Sequence, residues 1–124
     1  MAYTGGASVL ISEKRTEGDV TVVKLEGRID AISAPRVKEE LQELVESGQV
    51  RLIVNLDAIG FIDSAGLGVL VSCLRRCASA GGDLRLAEVP SFCRSIFELT
   101  RLTRVFDVTE TEEAALAALT TANG

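Results

Sequence analysis

The chain of 124 residues is 47% hydrophobic, and its 13 basic and 18 acidic residues give a net charge of -5. This length suits one globular domain rather than two, and the negative balance disfavours electrostatic binding to nucleic acid or to anionic lipid. Because the sequence contains no histidine, the usual catalytic triad and most zinc sites are excluded as well.

The sequence shows no sign of export or of membrane insertion. No apolar run approaches the roughly 18 residues that a membrane span requires, and the N-terminus lacks a basic segment followed by an apolar core. We therefore expect a cytoplasmic protein without membrane contact. The sequence contains three cysteines, Cys73, Cys77 and Cys93. Because this number is odd, we expect small core residues rather than a disulfide framework. A metal shared by Cys73 and Cys77 is a minor alternative, and we predict neither a metal nor a cofactor.

The N-terminal segment predicts a tail followed by a hairpin. Residues 1–8 have too little apolar content to pack, so we expect a flexible tail. The runs 9–11 and 20–25 are rich in β-branched residues and flank the polar turn 15–19. This pattern predicts two antiparallel strands.

A turn and a helix are predicted next. Gly27-Arg28-Ile29-Asp30 reads as a turn that carries a carboxylate out of the second strand. Ser33 is a candidate helix cap, with Pro35 in the first turn. Apolar residues at helical spacing then predict a helix that ends at Ser47-Gly48.

The centre of the chain predicts a buried strand followed by an apolar helix. Residues 50–56 are nearly continuous in apolar side chains, which is typical of a strand covered on both faces of a parallel sheet. In the stretch 61–70 (Phe-Ile-Asp-Ser-Ala-Gly-Leu-Gly-Val-Leu), an Asp-Ser pair joins the apolar run to a helix that closes at Gly81-Gly82. The Ser64 hydroxyl is a candidate helix cap, and a phosphate on it would lie at the positive end of the helix dipole.

The C-terminal third predicts two short strands, 84–87 and 105–108, each followed by a helix. The first helix opens at Pro90-Ser91, and its apolar residues are predicted to be core: Phe92, Ile96, Phe97 and Leu99. The second covers 113–119 after a capping box from Thr109 to Glu112, and residues 120–124 are expected to fray. Residues 9–119 thus predict a single α/β domain with a mostly parallel central sheet, an antiparallel edge hairpin and about four helices.

Polar side chains are expected at the carboxyl ends of two strands, where open α/β sheets bind ligands and partners. Asp30 follows the second strand, and Asp57, Asp63 and Ser64 follow the third. If these strands are neighbours, Asp30 and the Asp63-Ser64 pair form one surface. Gly66 and Gly68 each cost a helix about 1 kcal/mol relative to alanine. Two interpretations stay open for these glycines, the close approach of a partner and tight packing of the helix on the sheet.

Three segments carry a family resemblance: Gly27-Arg28-Ile29-Asp30, 52–57 (Leu-Ile-Val-Asn-Leu-Asp) and 61–70. They closely resemble the STAS domain of bacterial anti-sigma factor antagonists, and the likeness extends from about Val9 to Leu119. An Asp-Ser pair followed by small-Gly-Leu-Gly at a strand-to-helix junction, behind Gly-x-x-Asp, is the specific part of the pattern. The resemblance implies a STAS fold and a role in the regulation of bacterial transcription.

The resemblance also implies a partner-switching cycle. The unmodified antagonist binds an anti-sigma factor that is also a serine kinase, and so releases a sigma factor. That kinase uses ATP and magnesium to phosphorylate Ser64, which switches binding off, and a metal-dependent serine phosphatase restores the active form. Asp30 and Asp63 are implied to lie in the kinase-binding surface, together with the residues that follow the acceptor: Ala65, Gly66 and Leu67. Family members commonly carry Ser or Thr where this chain has Ala65.

Two other classes of function are alternatives to the switch. A non-switch STAS adaptor, or a ligand-sensing module of a transporter, lipid-trafficking or stress-signalling assembly, is the main alternative, and the retained phosphoacceptor favours the switch. An aspartyl-phosphate receiver centred on Asp57 lacks the acidic cluster that a magnesium site requires. Catalysis by Asp57 and Asp63 has no histidine or metal to assist it. We therefore predict that the protein is not an enzyme and has no catalytic residues.

Overall fold

A computed structural model describes the backbone of residues 9–123 and the side chains of residues 11–119. This part of the chain forms five strands, four α-helices and one short 3-10 helix. They are β1 (Val9–Glu17), β2 (Val20–Ile29), α1 (Ala34–Glu46), β3 (Arg51–Ile62), α2 (Ser64–Ser79), β4 (Asp83–Ala87), α3 (Ser91–Leu99), the 3-10 helix Leu102–Arg104, β5 (Asp107–Thr109) and α4 (Glu112–Asn123). The predicted tail, residues 1–8, lies outside the described residues. The fraying of 120–124 stays a prediction, since α4 reaches Asn123.

The five strands form one sheet in the order β1-β2-β3-β4-β5. β1 pairs antiparallel with β2, and all other neighbours are parallel. Leu52 of β3 pairs with Thr21 on one side and Leu84 on the other, so β3 is the sheet centre. The predicted fold class is therefore confirmed, including the antiparallel edge hairpin.

Helices cover the two faces of the sheet unequally. The larger core joins α1, α2 and α3 to one face and includes Leu41, Leu70 and Phe97, all fully buried. Crossovers of one hand between successive parallel strands place these three helices on the same side. The opposite face carries a smaller core, in which Ala115 and Leu119 of α4 pack against a patch of sheet residues: Val20, Val22, Ile53 and Ala87.

β2 and β3 extend beyond β4 and β5 at their carboxyl ends. Pairing between them continues to Ile29 opposite Ile62, whereas the last pair of β3 with β4 is Asn55 opposite Ala87. Residues 26–29 and 58–62 therefore extend past β4 and β5, with Leu10 and Val9 of β1 paired to Glu26 and Gly27, and this extension is called here the overhang. Sequence patterns missed it because Asp, Gly and Asn are usual turn residues.

The overhang corrects two predictions. Asp57 does not follow the third strand but lies exposed within β3, where its N–H donates to the Asn55 side chain at 2.8 Å. Residues 27–30 are not a turn, since β2 continues through Ile29. Gly27 instead has a positive φ of 113°, beside a register shift between Gly27 and Arg28, which identifies a β-bulge.

The C-terminal elements also differ from the predicted ones. α4 is capped by Thr111, whose hydroxyl accepts the N–H of Ala114 at 3.0 Å, whereas the Thr109 hydroxyl donates to main-chain carbonyls. The capping box from Thr109 to Glu112 is therefore wrong. Phe92 and Leu99 are 39% and 85% exposed rather than core, because α3 is short and turns only Cys93 and Phe97 fully inwards.

The start of α4 is held to the sheet by Glu112. Its carboxylate accepts hydrogen bonds from buried Asn55 at 2.6 Å and from Arg15 at 2.9 Å. Partial burial alone would raise the pKa of Glu112, but the hydrogen bonds from Asn55 and Arg15 outweigh it and hold the pKa below the usual 4.5. The ionised form is thus the one that the folded state binds.

Replacement of Glu112 with glutamine is expected to lower the free energy of unfolding at pH 7. A depressed carboxyl pKa stabilises the fold at every pH above the unfolded pKa, and this contribution disappears as the pH falls through the folded pKa. The wild type and Glu112→Gln should therefore converge in urea unfolding experiments as the pH falls below about 4.5. Glu113→Gln, at an exposed neighbouring position, is the control. A constant difference between wild type and Glu112→Gln at all pH values would contradict the prediction.

Candidate functional site

Two loops meet at the carboxyl ends of β2 and β3. The N–H of Asp63 donates to the carbonyl of Ile29 at 3.2 Å, and the N–H of Ala31 donates to Asp63 Oδ2 at 3.2 Å. These bonds tie the β2–α1 loop, residues 30–33, to the start of α2. The structure thus brings Asp30 and the Asp63-Ser64 pair onto one rim of the sheet, because β2 and β3 are neighbours.

Asp63 caps α2. Its backbone is extended, and its Oδ1 accepts the N–H of Gly66 at 3.0 Å. This is the usual bond from an N-cap side chain to the third helical residue. The expectation that the Ser64 hydroxyl caps the helix is therefore wrong. Ser64 is the first helical residue, and it is exposed.

The β2–α1 loop is held together by Asp30. Its Oδ1 accepts the N–H groups of Ile32 and Ser33, both at 3.0 Å. The N–H of Ser33 contributes most to a pKa of Asp30 below its usual value, and this carboxylate is therefore ionised at neutral pH. Ser33 occupies the N-cap position of α1 but makes no side-chain cap. Its hydroxyl donates to the carbonyl of Arg28 at 2.7 Å.

A stacked pair of side chains on the overhang was not predicted from the sequence. The Arg28 guanidinium lies 4.2 Å from the centre of the Phe61 ring, and Arg28 Nε lies 3.5 Å from Asp30 Oδ2. Arg28 and Phe61 are direct partners in the β2–β3 register. Each belongs to a motif noted in the sequence, but their contact depends on the length of the overhang. Phe61 remains 37% exposed.

The residues after Ser64 lie progressively deeper. Ala65 is half-buried, and Leu67 is 8% exposed. A Cβ at Gly66 would lie 2.6 Å from the carbonyl oxygen of Ile29 and 2.8 Å from the Ile62 side chain. Packing of helix on sheet therefore explains this glycine. Gly66 and Leu67 position the helix from beneath the surface, and their predicted part in partner binding remains a prediction.

Gly68 has a different environment, because a Cβ there would meet nothing within 4 Å. It lines an open groove of about 740 Å³ between Val45 of α1 and the outer face of α2. The remaining lining residues come from α2 and its C-terminal end: Val71, Ser72, Arg75, Arg76, Ser79 and Ala80. Tight packing thus accounts for one of the two helical glycines and not for the other.

The carboxylates at the rim are engaged in hydrogen bonds within the fold. Asp30 and Asp63 accept main-chain hydrogen bonds within the fold, and the pKa of Asp30 is lowered rather than raised.

Within residues 11–119 there is no group of three metal-ligating side chains. The cysteines are buried and free, and burial raises the pKa of Cys93 to about 11. No helix in the described part of the chain is long and apolar enough to cross a membrane.

Known proteins share both the sequence pattern and the fold. The sequence model of the STAS domain matches residues 12–115. The anti-sigma-B factor antagonist of Bacillus subtilis is 30% identical over 109 residues, which cover 88% of this chain and 98% of that protein. An anti-sigma factor antagonist from Mycobacterium paratuberculosis has a structure with a TM-score of 0.79 and 23% identity, covering 94% of this chain and 98% of that one.

A third similar protein is the anti-sigma factor antagonist SpoIIAA. Its unphosphorylated form gives a TM-score of 0.66 at 18% identity and covers 90% of this chain and 97% of that one. A structure of SpoIIAA from Bacillus in the phosphorylated form gives the same TM-score. At such identities the structures establish a shared fold, and the match of the family model covers most of the chain. The predicted resemblance is confirmed, and this chain belongs to the STAS domain family.

Proposed function

We propose that this protein is an anti-sigma factor antagonist controlled by phosphorylation. Its unmodified form binds an anti-sigma factor with serine kinase activity and so releases a sigma factor, and phosphorylation of Ser64 switches this binding off. The observation that carries the proposal is the exposure of the Ser64 hydroxyl at the start of α2. Because Asp63 caps α2, the exposed hydroxyl of Ser64 does not serve as the helix cap and is accessible to a kinase.

Similar proteins support this role. The Bacillus subtilis relative is named an anti-sigma-B factor antagonist, and SpoIIAA has been solved with and without its phosphate. In the proposed cycle the antagonist does not itself catalyse a reaction. The kinase brings ATP and magnesium, and a metal-dependent serine phosphatase removes the phosphate. Binding to an anti-sigma factor requires no direct contact with nucleic acid, and we place the cycle in the cytoplasm.

The charge at the rim supports a switch that changes binding without changing the fold. A phosphate adds about −1.5 to −2 charge at neutral pH, directly beside Asp63 and on the same rim as Asp30. The positive end of α2 accommodates this charge, so the domain stays folded. A partner that covers the rim must remove the new charge from water, which weakens binding. Because Ala65 has no hydroxyl, Ser64 carries the side-chain hydroxyl at the junction of β3 and α2.

Intact mass after incubation with kinase and ATP tests the proposal. Each anti-sigma factor of the ATP-binding class encoded by the source genome is mixed with the antagonist, ATP and magnesium. One of them is expected to add a single phosphate to the wild type and none to Ser64→Ala. Addition of the matching phosphatase should restore the original mass. Failure of every such kinase to modify or bind the wild type would favour the adaptor function instead.

A further inference from the structure

The β2–α1 loop presents one large apolar side chain to solvent. Ile32 is 80% exposed and lies in neither core cluster of the described residues. A single exposed apolar residue is common on protein surfaces and does not by itself indicate a binding site. The loop that carries Ile32, however, is unusually well fixed.

Each residue around Ile32 is held by a hydrogen bond. The N–H of Ile32 itself donates to Asp30 Oδ1 at 3.0 Å, and the preceding N–H of Ala31 donates to Asp63 Oδ2 at 3.2 Å. On the other side, the Ser33 hydroxyl donates to the carbonyl of Arg28 at 2.7 Å. The loop is thus fixed both to β2 and to the cap of α2. The backbone that carries Ile32 is therefore fixed before binding, so less conformational entropy is lost when a partner covers this loop.

Ile32 is also continuous with the site of Ser64. The bond from Ala31 to Asp63 joins its loop to the residue that precedes Ser64, and Asp30 at the base of the loop contacts Arg28, which covers Phe61. The rim therefore combines an apolar tip, a partly exposed aromatic ring and two carboxylates. Interfaces draw most of their binding energy from such central apolar residues surrounded by polar groups.

We propose that Ile32 is the apolar anchor through which this protein holds its anti-sigma factor. This inference rests on the proposed function and names the contact that the function requires. The partner is expected to present an apolar pocket for Ile32, bordered by basic groups that face Asp30 and Asp63. Phosphate on Ser64 then acts beside the anchor, because Ile32 enters its pocket only if the neighbouring charge is also removed from water.

Calorimetry with two alanine variants tests the anchor. The probe is each ATP-binding anti-sigma factor of the source genome, titrated with the wild type, Ile32→Ala and Leu99→Ala. Leu99 is a matched control because it is 85% exposed and ends α3, which returns the chain from the carboxyl end of β4 towards the amino end of the parallel strand β5, away from the rim. We expect Ile32→Ala to weaken binding about 50-fold, since three buried carbon groups are lost, and Leu99→Ala to change it less than about twofold.

The conservative variant Ile32→Leu should retain binding within about fivefold, because it keeps the apolar volume. Thermal unfolding should be the same for all variants, since both positions are exposed. If the wild type binds and Ile32→Ala binds equally well, the anchor is overturned and the proposed function stands. If no anti-sigma factor binds the wild type, the proposed function fails and the anchor with it.

Discussion

Gly66→Ala is expected to destabilise the domain by about 1–3 kcal/mol, which is the usual cost of adding volume to a well-packed site. The new Cβ would lie 2.6 Å from the carbonyl oxygen of Ile29, which is main chain and cannot rotate away. The same carbonyl accepts the N–H of Asp63, so a displacement of α2 also strains the tie between the two loops. Urea unfolding at pH 7 measures the loss of stability, and binding of an anti-sigma factor should weaken in parallel.

Gly68→Ala is the matched control, one half-turn further along the same helix. A Cβ there meets nothing within 4 Å, so only the helix propensity changes. We expect a gain of about 0.5–1 kcal/mol, the usual difference between glycine and alanine in a helix. The two variants should therefore shift stability in opposite directions. Equal stability of Gly66→Ala and Gly68→Ala would show that α2 does not lie as close to β2 as described.

Ser64→Asp is expected to weaken binding of the anti-sigma factor about 30- to 100-fold, which corresponds to about 2–2.7 kcal/mol. The aspartate adds a permanent charge beside Asp63, at a surface that the partner must cover. Within the fold the same charge is tolerated, because the first turn of a helix favours acidic side chains by about 0.3–1 kcal/mol. Binding should thus fall although the domain remains as stable as the wild type.

Two neutral variants separate charge from size. Ser64→Asn has nearly the volume of aspartate without its charge, and Ser64→Ala removes only the hydroxyl. Both should bind within about threefold of the wild type, and neither is expected to accept phosphate from the kinase. Calorimetry gives the affinities, and thermal unfolding checks the fold. Equal weakening by Ser64→Asn and Ser64→Asp would mean that bulk rather than charge governs the switch.

The spacing of apolar residues was sufficient to predict the architecture, because the burial of apolar side chains determines how strands and helices pack. The apolar run at 50–56 and the helical stripes of α1 and α2 correspond to the elements that supply most residues of the larger core. Local polar patterns were less informative. Asp57 and Gly60 resemble a turn, yet pairing with β2 keeps β3 extended to Ile62. Tertiary pairing outweighs local propensity wherever a neighbouring strand supplies the hydrogen bonds.

The sequence predicted several residues of the candidate site but not the contacts between their side chains. Asp30 and the Asp63-Ser64 pair were expected on one rim, and neighbouring strands bring them together. Asp63 rather than Ser64 caps α2, because the backbone of Asp63 is extended and α2 begins at Ser64. The spacing of residues in the sequence does not reveal this. The stacking of Arg28 on Phe61 requires the register of two strands, and no single segment of the sequence contains it.

The overhang has one side that packs into the core and one side that faces outwards. Within it, Ile29 and Ile62 turn towards the core, whereas Arg28 and Phe61 lie on the exposed side, and β4 and β5 end before reaching it. Substitutions on the exposed side leave the five-stranded part of the sheet intact. Under the proposed function, the residues that contact the partner can therefore change on this side while the scaffold stays the same.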